Sequence, residues 1–205
     1  DIPDSVTSMG DGCFVKCASL TSIIIPDGVT SIGDGNLAEC TNLTSVTIPD
    51  SVKSIGISAF YKCASLTSIT IPDSVTSIGA NAFEECTSLK SITIGKSVTS
   101  IGESAFYNCR FLKTVVMEGL PPTVDLRAFE TVNENAEVFV DPDYLFRYGI
   151  VGETWYGLFI VEQDEEECDN EELTNTITTL VAQLAQKDAQ IAEKNAQIVE
   201  LEKRP

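Results

Sequence analysis

A 23-residue repeat that keeps register through five copies, with no residue inserted or lost, constrains this chain more than anything else in it. Leucine recurs at Leu20, Leu43, Leu66, Leu89 and Leu112, glycine at Gly10, Gly33, Gly56, Gly79 and Gly102, and cysteine at Cys17, Cys40, Cys63, Cys86 and Cys109. A fixed period of this size predicts a repeat solenoid, in which one coil cannot bury its own apolar side chains and depends on its neighbours to do so. Within a copy, Leu66-x-x-Ile69-x-Ile71 alternates apolar and hydroxyl residues, the period of a half-buried strand, and Pro72 ends it by removing an amide donor. Val75 and Ile78 are then expected to point inward, Gly79 to permit a tight bend, and Asn81 to open a single helical turn in which Ala82 and Phe83 cover the core. The predicted architecture is a parallel β ladder with a turn and a short helical turn in every coil.

Residues 1–17 are the tail of one copy, and full copies run over 18–40, 41–63, 64–86 and 87–109. The chain opens in mid-repeat without an initiating Met, so it is expected to be a piece of a longer array. From Leu120 the pattern decays, although Ala128-Phe129 still falls on the Ala-Phe column and Val138-Phe139-Val140 still reads as a strand. The stretch from Val140 to Ile160 carries the one Trp and three of the five Tyr. Large rings there fit a cap that seals the last coil. The predicted organisation is repeats over 1–119, a degenerate repeat and cap over 120–161, an acidic linker over 162–172 and a helix over 173–205.

The unit Leu-x-x-Ile-x-Ile-Pro-Asp-Ser-Val-Thr-Ser-Ile-Gly-x-x-Ala-Phe-x-x-Cys resembles the BspA-like leucine-rich repeat, and the closing Val140-Asp141-Pro142-x-Tyr144…Trp155 resembles that family's terminal cap. The resemblance covers about residues 1–160. It implies a leucine-rich-repeat solenoid acting as a binding scaffold in adhesion and surface interaction, at the cell surface or outside the cell. It carries over no catalytic residues.

Charge narrows the partners. With 13 Lys plus Arg against 31 Asp plus Glu, the net charge of −18 argues against nucleic acid and anionic membranes. No run of about 20 apolar residues is present to span a bilayer. The chain has no His, which removes triads, His metal sites and the commonest general base. The cysteine spacing matches no C-x-x-C zinc motif, and the glycine column repeats a bend rather than forming a phosphate loop. No enzyme activity and no cofactor are expected. Adjacent coils would bring the cysteines about one strand spacing apart (~4.8 Å), yet an odd-numbered column cannot pair fully, so these thiols read as reduced core fillers.

Three outward columns are candidates. Thr44, Thr47, Thr67, Thr70 and Thr93, with Lys90 and Lys113 entering late, form a hydroxyl rank that could face a ligand, or could simply be strand-compatible residues on the solvent side. Asp27, Asp50 and Asp73 follow the prolines and would stack at about 5 Å, where a hard cation such as Ca²⁺ could relieve their repulsion; ordinary turn chemistry is the alternative. Cys168 precedes a tail in which the period changes to seven. There Ile177, Leu180, Leu184, Ile191, Ile198 and Leu201 take a and d positions, while Lys187 and Lys194 weaken the seam. A coiled coil linking two copies and a solitary helix for another partner both fit. Two functions follow: a scaffold binding a protein or glycan surface with tail-mediated association, or recognition of an ordered solid such as crystalline polysaccharide or ice by the Thr and Ser ranks. A purely structural spacer is a third.

Overall fold

The computed structural model describes residues 2–125, 127–149 and 154–162. The helix predicted over 173–205, the association residues Ile177, Leu180, Leu184, Ile191, Ile198 and Leu201, Cys168, and the acidic linker beyond Glu162 lie outside them.

Hydroxyl–apolar alternation builds one strand per coil in a long ladder: β1 Ser22–Ile24, β3 Ser45–Thr47, β5 Ser68–Ile71, β7 Ser91–Ile94, β9 Thr114–Met117 and β11 Glu137–Val140. The Val-x-Ser-Ile segment adds a second, shorter ladder of β2 Ser31–Ile32, β4 Ser54–Ile55, β6 Ser77–Ile78, β8 Ser100–Ile101 and β10 Thr123–Val124. Pairing within both is parallel and joins residues one repeat apart, as in Ile69 with Ile92 and Ile78 with Ile101. The predicted β-solenoid is therefore present, and the coil carrying β10 and β11 keeps the register of those before it. The short ladder runs unbroken from β2 to β10, whereas the long one divides: β1 and β3 form a two-stranded sheet, and β5 begins a separate six-stranded one.

The alternation buries Ile69, Ile71, Ile92 and Ile94 and leaves the hydroxyl residues between them outward. Four successive coils also contribute a buried Ala-Phe pair, and Phe60, Phe83, Phe106 and Phe129 stack at centroid separations of 5.0, 5.2 and 5.0 Å with planes within 7° of parallel. Trp155 meets Phe129 at 6.1 Å, tilted by 51°, and Tyr148 packs edge-on against Trp155, so the aromatic segment packs on the Phe129 end of the stack. This segment comprises the four-residue helix α1 Leu145–Tyr148 and the hairpin of β12 Thr154–Trp155 with β13 Leu158–Glu162. Tyr148 is buried and donates its hydroxyl to the Gly119 carbonyl at 2.9 Å. Parallel pairing of β13 with β11 extends the ladder, and the antiparallel β12 then covers the exposed edge of β13.

Two expectations about the turn need correction. The helical turn at Asn81 is not a helix, because each coil holds two left-handed residues four positions apart: φ is +59° at both Asn81 and Glu85, and Ser58/Lys62 and Ser104/Asn108 repeat the arrangement. A right-handed helix cannot pass through such residues, so the segment winds as successive turns. The glycine column serves close approach rather than a bend. Gly79 has no positive φ, but a Cβ placed on it would lie 2.6 Å from the carbonyl carbon of Gly56 in the preceding coil.

The cysteines behave as the sequence suggests. Cys13, Cys17, Cys40, Cys63, Cys86 and Cys109 are free thiols, and the last four donate to the carbonyls of Phe14, Leu37, Phe60 and Phe83 at 3.1–3.3 Å. Burial pushes Cys63 and Cys109 up to about 12 and Cys86 well above the ordinary thiol range. A folded state that holds these protons more tightly than the unfolded chain keeps its full stability below about pH 9 and loses it progressively toward pH 12. Correspondingly, Cys13 and Cys17 should react with a thiol reagent at pH 8 in the folded chain, and the four buried thiols only after denaturation. Rapid labelling of all of them in native buffer would contradict this burial.

Candidate functional site

The long ladder's outward face holds the predicted hydroxyl rank. Thr44, Thr47, Thr67, Thr70, Lys90 and Lys113 are exposed there and Thr93 is half-buried. Their positions follow from the pleat: with Ile69 and Ile71 inward, Ser68 and Thr70 must face out. The rank is shorter than the sequence suggests. Thr70 pairs with Thr93, but the same column begins at Ile24 and continues through Val116 to Phe139. It is also interrupted between Thr47 and Thr70, where no ladder bonds join β3 to β5.

Some hydroxyls are occupied by the fold itself. Thr44 donates its hydroxyl to the Thr21 carbonyl at 2.9 Å, and on the short-ladder side Thr76 and Thr99 donate to Lys53 and Thr76 at 3.1 Å. These side chains tie one coil to the next.

The break opens a groove of about 770 Å³ between β3 and β5. Thr44, Ser45, Thr47, Ser68 and Thr70 line its length, the half-buried Val46 and Ile48 contribute to its lining, and Asp50, Asp73 and Glu118 also border it. Sequence reasoning found the threonines and the two aspartates but missed the groove and Glu118.

The acidic column is not a uniform stack. Asp27 and Asp50 are exposed, while Asp73 forms an ion pair with Lys96 at 2.5 Å and accepts the Lys96 backbone N–H at 3.0 Å. Those contacts hold the Asp73 carboxyl below, and the Lys96 ammonium above, their ordinary ranges. Glu118 is raised, first by desolvation and then by the charge of Asp73. Among the described residues no three His, Cys, Asp or Glu side chains lie close enough to share a metal ion.

A model of the BspA-type leucine-rich repeat region matches residues 1–136 in six copies. The chain belongs to this family. Repeats of this type are typically non-enzymatic. Solved structures with the same fold include a leucine-rich repeat protein of T. pallidum, at TM-score 0.58 and 26% identity over 85% of this chain and 77% of that one. A second, from Bacteroides ovatus, gives TM-score 0.54 and 24% identity, covering 83% of this chain and 52% of its own. The pneumococcal vaccine antigen PcpA gives 0.63 and 21%, covering 79% and 40%. No curated protein sequence matches the chain.

Proposed function

We propose that this BspA-type solenoid is a non-enzymatic interaction scaffold that binds a protein or glycan on another surface through the outward face of its long ladder. The observation that carries the reading is the groove between β3 and β5, concave and bordered by hydroxyls and carboxylates. Family membership points the same way, since repeats of this class present extended surfaces rather than catalytic centres. Association through Ile177, Leu180, Leu184, Ile191, Ile198 and Leu201 would let weak sites act together and multiply affinity by roughly a hundredfold or more.

Recognition of an ordered solid draws less support, because the threonine rank is interrupted at the groove and gives way to Val116 and Phe139. The test is to present the full chain in multivalent form to an array of glycans and of host and matrix proteins, beside Thr70→Tyr. Thr70 is exposed, so tyrosine there leaves the melting temperature unchanged while filling the groove, and binding falls at least tenfold. Wild-type signal no higher than background across the array would refute the scaffold reading.

A further inference from the structure

The divided ladder leaves main-chain groups facing one another without the bonds that join adjacent coils elsewhere. Thr44, Lys90 and Lys113 each donate their N–H to the carbonyl of the residue one repeat earlier, at 2.8, 2.8 and 2.9 Å. Thr67 makes no such bond to Thr44. In the other direction the Ile25 N–H reaches the Thr47 carbonyl at 3.1 Å, but Ile48 does not reach Thr70. The opening is confined to this side of the coil. β4 still pairs with β6, the Phe60 N–H still reaches the Ala82 carbonyl at 2.8 Å, and the Phe60 and Phe83 rings still stack.

A strand edge with unanswered amides and carbonyls is a template for another main chain. We propose that the gap between β3 and β5 is a docking site for an extended, basic peptide segment, which lies along the groove mouth and hydrogen-bonds to the Ile48 and Thr67 amides and the Thr44 and Thr70 carbonyls. The proposal rests on the scaffold reading above and names its site and partner class. Four residue steps separate Thr44 from Ile48, roughly 13 Å at about 3.3 Å per residue, so about five peptide residues cover the groups. Charge selects the side chains. Asp50, Asp73 and Glu118 border the groove, and the nearby Lys96 is already paired with Asp73, which leaves a negative surface for Lys or Arg. No aromatic side chain lines the groove, so it offers a sugar ring no stacking platform.

The test titrates the full chain with a labelled decapeptide of alternating Lys and Thr, its Glu/Thr counterpart, and chitohexaose, following affinity and residue-resolved amide exchange. The Lys/Thr peptide should bind saturably, weaken as salt rises, and slow exchange at Ile48 and Thr67 at least tenfold. Asp50→Lys combined with Glu118→Lys, both at exposed positions, should weaken it at least tenfold with an unchanged melting temperature. The proposal is overturned if the Glu/Thr peptide binds equally well, if the charge reversals leave affinity unchanged, or if chitohexaose protects the same amides in its place. A chain that captures array ligands yet leaves Ile48 and Thr67 unprotected by the peptide overturns this site while the scaffold reading stands. A chain that captures nothing in either experiment removes both.

Discussion

Gly79→Ala is expected to destabilise the solenoid by about 3 kcal/mol, a fall in melting temperature of roughly 6–12 °C for a chain of this size, while Gly10→Ala leaves it unchanged. Both glycines occupy the same column, and what differs is the neighbour. A Cβ on Gly79 lies 2.6 Å from the carbonyl carbon and 2.7 Å from the carbonyl oxygen of Gly56. Those are backbone atoms held in the short ladder, where the Gly56 N–H bonds the Ile32 carbonyl at 2.8 Å and the Gly79 N–H the Ile55 carbonyl at 2.9 Å, so they cannot swing aside, and two coils would have to separate. Gly10 stands where no described coil precedes it and has nothing within 4 Å of the added methyl. A thermal melt of the two variants beside the wild type decides the matter. Equal effects would mean that the column serves turn conformation after all.

The second large effect is at Phe83. Its ring lies between Phe60 and Phe106, fully buried, and Phe83→Ala is expected to cost about 3–5 kcal/mol, because the lost ring leaves a cavity with stacked neighbours on both sides. Phe83→Leu, which keeps most of the apolar volume, should cost far less, about 1.5 kcal/mol. The protein has already made that exchange at Leu37, which is completely buried in the same column. Denaturant unfolding would measure both. A small loss for Phe83→Ala would show that adjacent coils collapse into the gap.

The sequence made the coil legible because apolar spacing and physical neighbours coincide in a repeat. Leu66, Ile69, Ile71, Val75, Ile78, Ala82, Phe83 and Cys86 were all expected inside, and all are buried. Backbone conformation was harder to read. Left-handed φ at Ser58, Ser104 and Arg127 falls on residue types with no special preference for it, and the hint carried by Gly12, Gly35 and Asn81 in the same column was outweighed because Asn81 also suits a helix start. The groove was hidden for a different reason. Ser45-Val46-Thr47-Ile48-Pro49-Asp50 and Ser68-Ile69-Thr70-Ile71-Pro72-Asp73 differ at one position, yet the ladder parts between them and closes between Ser68–Ile71 and Ser91–Ile94. Near-identical units announce the fold but not where it deviates.

Asn36 is another departure from the repeat with a local solution. It stands in the alanine column, completely buried, where an unsatisfied amide would be costly. Its side chain donates to the Gly10 carbonyl at 2.8 Å and accepts from the Cys13 thiol at 3.4 Å. The same economy operates at the outer turns, where Asp11 and Asp34 each accept a backbone N–H from the following coil, Asp34 at 2.9 Å and Ile57 at 2.7 Å. These carboxylates therefore belong to the stack, unlike Asp50 and Glu118 at the groove.

The binding groove exists only where the ladder is parted, and residue-resolved amide hydrogen exchange of the unliganded full chain tests that parting directly. Ile25, Lys90 and Lys113, whose amides are bonded across the ladder, should exchange slowly, and Ile48 and Thr67 at least a hundredfold faster. Equal protection at all five positions would mean that β3 and β5 are joined like the other strands, and the groove assigned to ligand binding would not exist.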